Sequence, residues 1–315
     1  MPFPRHPRFR RAENFAPIEL TARDAEILRM VNRHRFLRSH QIADLVTGSR
    51  QQVLRRLQKL YHHGYLERPT CQLDYYQRPG SRSIAYGLAS RGAAHLRRAE
   101  NISFSRLDWT SRNRAVKRLF LDHALMVSDI TVSLEIACRK RGDVRLLIED
   151  EIPLPAATRK ERNPFRWSVT VSGKDNLGVI PDRVFALEFT ESNEHILCFL
   201  EADRGTMPVH RLRLNASCFE RKFIAYEATW GRGIHRSRFG VSRVRVLAVS
   251  ISQERTKNLR EAGACRERGR GLFLFTDTAS LSAQADALAL MWQTSDGSTE
   301  LLTWGNFSDY REDER

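Results

Sequence analysis

The segments "GVIPDRVFAL" (Gly178–Leu187) and "CFLEADRGT" (Cys198–Thr206) decide the fold prediction. Each is an apolar run that predicts a buried strand, and each brings acidic side chains to its end. Asp182 closes or interrupts the first strand, and Glu201 and Asp203 close the second. Three carboxylates on two neighbouring strands are typical of a metal site for phosphodiester chemistry. The alternative is two strand ends whose acidic side chains are solvated.

The sequence around these strands predicts a domain of mixed helix and strand. A long amphipathic helix is expected over residues 113–142, because apolar residues recur there three or four apart. Further strands are expected at 144–150, 165–172, 177–189, 195–203, 244–252 and 271–279, and further helices at 215–230, 254–269 and 280–292. This order predicts a mixed sheet flanked by helices.

That order resembles the core of the PD-(D/E)xK nuclease superfamily. Pro181 and Asp182 match the "PD", and Glu201-Ala202-Asp203 occupies the "(D/E)xK" tripeptide. The resemblance implies catalysis by Asp182, Glu201 and a lysine, with Asp182, Glu201 and Asp203 as ligands of Mg²⁺ or Mn²⁺ in an active enzyme. Asp203 occupies the position of the motif lysine. Lys222, on the following helix, is therefore the candidate to supply the positive charge of that lysine. Asp203 is then either a third metal ligand or the partner of Arg204.

The N-terminal third has the pattern of a winged helix-turn-helix. Thr21 and Ser49 are expected helix N-caps, and Gly48 and Gly64 follow the second and third helices as stops. A strand at "YLERP", a polar turn and a returning strand at "IAYGLAS" complete the hairpin. The third helix, 49–63, is the expected recognition helix, with its N-terminal polar residues in the major groove.

Arginine and glutamine suit that role, because they make bidentate contacts to guanine and adenine edges. No acidic residue interrupts the outward positions of this helix, while Val53, Leu54, Leu57 and Leu60 are expected to face inward. The predicted DNA-binding residues on the helix and wing are Arg50, Gln51, Gln52, Arg55, Arg56, Lys59, Arg78 and Arg82.

Composition favours a polyanionic partner. The 315 residues carry a formal charge of +15, which favours binding of nucleic acid through its phosphates. The five cysteines are odd in number and well separated, which argues against a disulfide framework. Neither a membrane-spanning run nor a secretory signal is recognisable, so a cytoplasmic location is expected.

As a whole, the sequence resembles the replication-relaxation family of plasmids and other mobile elements. The resemblance rests on the N-terminal winged helix, "RLFLDHALMVSDI", the "IPD" strand, "FLEADRGT" and the helix that contains "KFIAY". It implies a DNA-binding protein in plasmid replication, relaxation or mobilisation, together with replication or conjugation proteins of the same element. The alternatives are an active Mg²⁺-dependent DNA endonuclease and a homodimeric winged-helix transcriptional regulator.

The expected fold class is therefore α+β or mixed: a winged helix-turn-helix followed by a PD-(D/E)xK-like α/β domain. Double-stranded DNA is the expected partner, and binding to a membrane is not expected. The predicted domains are a basic N-terminal arm (1–17), the winged helix (18–100), a linker (101–111), the α/β domain (112–304) and an acidic tail (305–315).

Overall fold

The computed structural model describes residues 8–13, 15–77, 83–102, 109–171, 176–211, 218–264 and 270–303. The chain forms two compact units, Met1–Val132 and Ser133–Arg315. Within the described residues, no helix combines the length and the apolar character needed to cross a membrane.

The first unit is built from helices and a small antiparallel sheet. Thr21 caps the first helix through a capping box with Asp24, and the Ser49 side chain caps the third, as the sequence predicts. The three strands lie in the order β1-β3-β2. The elements are α1 (Ala22–His34), β1 (Phe36–Arg38), α2 (Ser39–Leu45), α3 (Arg50–His62), β2 (Leu66–Glu67), a 3-10 helix (Thr70–Gln77), β3 (Ala85–Leu88), α4 (Ser90–Glu100) and α5 (Trp109–Arg114).

The next helix, α6 (Arg118–Arg141), crosses the boundary between the two units. Its first half packs Leu121 and Leu125 against Phe36 and Ala85, and the Ser128 hydroxyl donates to the Phe36 carbonyl at 2.7 Å. These contacts explain why the first unit extends to Val132, whereas the sequence predicts a boundary near residue 111. The predicted single helix over 113–142 is also interrupted, since α5 ends before α6 begins.

The second unit contains a seven-stranded mixed sheet in the order β12-β11-β10-β9-β8-β7-β4. A separate antiparallel pair, β5 and β6, lies outside this sheet. Its elements after α6 are β4 (Val144–Ile148), a 3-10 helix (Glu149–Glu151), α7 (Ala156–Arg159), β5 (Trp167–Thr170), β6 (Asn176–Val179), β7 (Arg183–Phe189), β8 (His195–Asp203), α8 (Phe219–Gly231), α9 (Ile234–Phe239), β9 (Arg243–Ser250), α10 (Gln253–Ala264), a 3-10 helix (Arg270–Leu272), β10 (Phe273–Asp277), α11 (Thr278–Ala283), a 3-10 helix (Ala287–Ala289), β11 (Met291–Thr294) and β12 (Thr299–Leu301).

The neighbouring strands β7 and β8 bring together the two segments Gly178–Leu187 and Cys198–Thr206. β7 runs antiparallel to β4 and to β8, and β9 runs parallel to β8 after the helical connection through α8 and α9. One face packs against α8, where Phe223 and Tyr226 meet Phe199 and Val246 in a single apolar core. Burial of such aromatic side chains stabilises the layer by roughly 25 cal/mol per Å² of apolar surface.

Two sequence predictions for this unit differ from the structure. The strand predicted at 177–189 is two strands, β6 and β7, because Pro181 lacks an amide proton and breaks the ladder between them. The helix predicted at 280–292 ends at Ala283, and Met291 and Trp292 belong to β11. Trp292 is fully buried in the sheet, where tertiary packing overrides the helical spacing of the preceding alanines and leucines.

Candidate functional site

Helix α3 presents a polar, basic face to solvent. Arg50, Gln51, Gln52 and Arg55 are exposed, and Lys59 is half-buried. On the opposite side the helix is anchored by apolar side chains that are inaccessible to solvent: Val53, Leu57, Leu60 and Tyr61. An amphipathic helix fixed in this way holds its polar side chains at defined positions on the surface of the first unit.

Two side chains of α3 lie differently from their predicted positions. The predicted outward-facing Arg56 instead forms an ion pair with Asp24, donating from Nε to Oδ1 at 2.7 Å, and it also donates to the Glu19 carbonyl at 2.9 Å. Asp24 is fully buried, so Arg56 ties α3 to α1. Leu54 was expected to face inward, but its side chain is 40% exposed. The predicted wing residues Arg78 and Arg82 lie outside the described residues.

The described part of the predicted N-terminal arm contacts the end of α3. Arg11 donates from Nε to the Tyr61 carbonyl at 2.9 Å and from Nη2 to the Glu67 carboxylate at 2.8 Å. The Phe15 ring stacks on His62, with ring centroids 4.5 Å apart. The charge of Arg11 is therefore paired with the Glu67 carboxylate within the first unit.

In the second unit, Asp182 and Glu201 meet where β7 begins and β8 ends. The backbone of Asp182 donates to the Leu200 carbonyl at 3.0 Å, and its Oδ2 accepts from the Ala202 amide at 2.9 Å. This register sets Asp182 opposite Glu201. The sequence prediction that the two acids share one location agrees with these contacts.

Glu201 is only 1% exposed and both of its carboxylate oxygens are occupied. Lys222 donates to Oε2, and the Tyr226 hydroxyl donates to Oε1 at 2.6 Å. Both donors come from one face of α8, because residues four apart lie one above the other on a helix. Lys222, the predicted substitute for the motif lysine, thus reaches the end of β8.

Burial and electrostatics shift the protonation of this cluster. Burial, reinforced by the nearby Asp182 charge, raises the pKa of Glu201 to about 7 despite the opposing effect of Lys222. Burial also raises the pKa of Tyr226 well above its usual value, with a further contribution from Glu201. For Lys222, burial acts downward, but attraction to Glu201 and Asp182 prevails and its pKa is raised.

Asp203 is also buried, at 2% exposed, but it is held by different groups. Arg255 of α10 forms an ion pair with its Oδ2, and the Gly205 amide donates to Oδ1 at 2.9 Å. Arg255 also donates to the Met207 carbonyl. The arginine therefore clamps the turn that follows β8 and supplies a counter-charge for the acidic residue in the motif.

A cavity of about 180 Å³ opens beside Glu201 and Lys222. Gly178, Val179 and Ile180 form one wall, and Arg221 of α8 lines the other. The Nε of Arg221 is buried and, within the described residues, has no hydrogen-bond partner. The cavity is therefore lined by two cationic side chains and one carboxylate, a suitable setting for a phosphate group.

The fit of these residues to a divalent cation can be judged from their contacts. Among the described residues, no group of three His, Cys, Asp or Glu side chains is arranged to hold a metal ion. The predicted metal ligands are Asp182, Glu201 and Asp203. Asp203 is removed from this set, because Arg255 already neutralises its carboxylate. Asp182 and Glu201 remain as two neighbouring carboxylates, a number that Mg²⁺ commonly binds, and both oxygens of Glu201 already accept hydrogen bonds from Lys222 and Tyr226.

Sequence reasoning missed two residues of this site. The sequence pattern predicts no site role for Tyr226, although a tyrosine four residues after Lys222 shares the face of the lysine. Arg255 lies 52 residues after Asp203, and no local spacing pattern connects them. Only the parallel pairing of β8 with β9 brings α10 to the end of β8.

The fold and the site define a mixed α/β protein built on a seven-stranded sheet, with a carboxylate–lysine cluster at the end of β8. The sequence profile of the replication-relaxation family matches residues 28–244, which is more than half of the chain, so the chain belongs to this family. Membership indicates a role in replication or relaxation of a plasmid or mobile element. No curated protein and no solved structure matches the chain.

Proposed function

We propose that this chain is a double-stranded-DNA-binding protein that acts in replication, relaxation or mobilisation of a plasmid or other mobile element. The exposed face of α3 carries the proposal. It presents Arg50, Gln51, Gln52 and Arg55 on a helix whose opposite side is buried, and these residue types read guanine and adenine edges. Arg56 is left out of the proposed contact surface because it is paired with Asp24.

The architecture of the first unit supports a winged helix-turn-helix. Three helices precede a hairpin in the order that this motif requires, and β1 joins the hairpin as its third strand. In such a domain the third helix enters the major groove. The wing tip would lie among residues 78–82, which are not described.

Fluorescence anisotropy with a duplex selected from a random pool tests the proposal. Arg50→Ala combined with Arg55→Ala is expected to weaken binding by roughly 10- to 100-fold, as loss of bidentate base contacts does. Arg97→Ala combined with Arg98→Ala is a matched control, because it removes two positive charges from the exposed last turn of α4. Equal affinity of both variants and the wild type would refute the assignment of α3.

A metal-dependent DNA endonuclease is the second candidate function. It is favoured by the convergence of Asp182, Glu201 and Lys222 beside a cavity, and by the element order α6, β4, β7, β8, α8, β9, which resembles the PD-(D/E)xK core. Asp182 and Glu201 would hold Mg²⁺ or Mn²⁺, which would polarise the phosphodiester and supply hydroxide. Lys222 would stabilise charge on the phosphate, and Arg221 would orient it.

Incubation of supercoiled plasmid with Mg²⁺ or Mn²⁺ tests this second function. Cleavage by the wild type is expected to disappear in Asp182→Asn and to persist in Asp203→Asn, which alters the carboxylate that Arg255 holds. Cleavage is also expected to increase as pH rises through about 7, because a metal ion binds the ionised form of Glu201. Cleavage that is equal in wild type and Asp182→Asn would exclude this site as its source.

Protein partners and assembly belong to the same proposal. A homodimer would place two α3 helices on a palindromic site, as winged helices of transcriptional regulators do. Replication or conjugation proteins of the same element are the proposed protein partners. Light scattering with and without duplex would distinguish a monomer from a dimer.

A further inference from the structure

We propose that the second unit binds the phosphate backbone of duplex DNA through a basic surface of its own; this inference rests on the proposed DNA-binding function. The surface comes from the end of α7 with the segment that follows it, and from the turn that follows α8. We call it the second basic surface. Its exposed members are Arg159, Lys160, Arg162, Arg166 and Arg232.

The two segments that carry the second basic surface are fixed to each other. The Thr158 hydroxyl donates to the Arg238 carbonyl at 2.6 Å, and Arg238 Nη2 donates to the Pro164 carbonyl at 2.8 Å. The Phe165 ring stacks on Phe239, with centroids 5.9 Å apart. The basic side chains are therefore mounted on a packed scaffold, so less conformational entropy is lost when they bind.

The charge of this surface is not neutralised within its own segments. Over residues 156–171 and 230–242 the only acidic residue is Glu161, and Arg238 binds it through two hydrogen bonds of 2.9 and 2.6 Å. Within the described residues, Arg159, Lys160, Arg162 and Arg166 form no ion pair. A concentration of unpaired arginine on a fixed surface suits phosphate, since guanidinium groups bind its oxygens in pairs.

Arg166 links the second basic surface to a strand that pairs with the wall of the cavity at the end of β8. Arg166 immediately precedes Trp167, and Trp167 pairs with Val179 across the β5–β6 ladder. Val179 and Ile180 form a wall of the cavity that contains Glu201 and Lys222. A DNA backbone bound at Arg166 would thus lie near the carboxylate cluster of Asp182 and Glu201. The surface would position the DNA relative to that cluster, whether or not the DNA is cleaved there.

Salt titration of duplex binding by the full chain tests the inference. The variant combines Arg159→Ala, Lys160→Ala and Arg162→Ala, and the probe is a 30-base-pair duplex of arbitrary sequence. Each lost phosphate contact lowers the slope of log affinity against log salt by about 0.9, so the triple variant is expected to lower it by up to about 3. The control combines Lys140→Ala, Arg145→Ala and Lys257→Ala, which removes the same charge from other exposed positions of α6, β4 and α10.

The outcomes separate this inference from the proposed function. A lowered slope in the triple variant alone, with an unchanged unfolding midpoint, supports the second basic surface. Equal slopes in the triple variant and its control overturn it, while the effect of the α3 variant on a selected duplex still decides the proposed function. Absence of duplex binding by the wild type overturns both.

Discussion

Glu201 and Asp203 lie two residues apart on the same face of β8, both buried, yet their surroundings differ. Glu201 adjoins a cavity and is bound by Lys222 and Tyr226 of a single helix. Asp203 is bound by Arg255 of α10 and by the amide of Gly205, in the turn that follows the strand. Glu201, bound by Lys222 and Tyr226, lies beside Asp182 and the cavity. Asp203 is held by the Arg255 side chain and the Gly205 amide instead.

The difference separates a site from a structural ion pair. Glu201 has a strongly perturbed pKa and a second carboxylate beside it, which are marks of functional sites. The Asp203–Arg255 pair joins β8 to α10 and fixes the turn that carries Met207, one of the residues lining the cavity. The two acids of "LEAD" are therefore expected to respond differently to mutation. Two measurements test that contrast, and two more test side chains of α3.

The largest expected effect is on stability at the Asp203 pair. Arg255→Ala leaves a buried carboxylate without its counter-ion, which costs about 3 to 5 kcal/mol in comparable pairs. Urea unfolding at pH 7 measures the change. Arg255→Met combined with Asp203→Asn is expected to recover most of it, because no unpaired charge remains. A change below about 1 kcal/mol in Arg255→Ala would show that the pair contributes little.

The second expected effect is on the pH dependence of stability at Glu201. Its folded pKa of about 7 lies above the ordinary glutamate value of 4.5, so the folded state holds the proton more tightly. The contribution of Glu201 to the free energy of unfolding should therefore be largest below pH 4.5. It should fall by up to about 3 kcal/mol as pH rises to about 7.

Glu201→Gln is expected to remove this fall between pH 5 and 7.5, and urea unfolding across that range measures it. Because the substitution also removes the partner of Lys222, Glu201→Gln with Lys222→Met is the second variant. Glu188→Gln, on the adjacent strand, is the control. A wild-type curve that is flat, or that rises over this interval, would contradict the raised pKa.

The sequence predicts much of this arrangement, because most of the information is local. Asp182 and Glu201 were predicted to meet from two apolar strands, and antiparallel pairing of β7 and β8 brings them together. The helix caps at Thr21 and Ser49 follow equally from neighbouring residues. Lys222 was selected by the resemblance to the nuclease superfamily, not by any spacing that fixes its contact.

The missed features depend on contacts between distant residues. The role of Arg255 requires the parallel β8–β9 pairing, and the end of the first unit requires α6 to pack on Phe36. The pairing of Arg56 depends on its contact with buried Asp24 of α1, and the exposure of Leu54 depends on how α3 is rotated about its axis, because a rotation by one position exchanges buried and exposed residues. Periodicity fixes the apolar stripe but not its edges.

The same contrast between a paired and an open side chain occurs in α3, and it supplies the third measurement. Arg56→Ala is expected to destabilise the first unit by about 2 kcal/mol, since buried Asp24 loses its partner while solvent still reaches the arginine. The Arg55 side chain is exposed, so Arg55→Ala is expected to change the free energy of unfolding by less than about 0.5 kcal/mol. Thermal unfolding followed by circular dichroism compares them, and equal midpoints would contradict the assignment of Arg56 to structure.

The smallest expected effect concerns Leu54, the apolar side chain amid the polar face of α3. Leu54 is 40% exposed next to Arg55, so it would contact a thymine methyl group if α3 enters the major groove as proposed. Wild-type protein is therefore expected to bind a selected duplex about fivefold more tightly with thymine than with uracil, a difference of about 1 kcal/mol. Leu54→Ala is expected to abolish that preference without changing stability, because the side chain is not part of the core. Retention of the full preference in Leu54→Ala would assign methyl recognition to another residue, while loss of stability instead of preference would show that Leu54 serves packing.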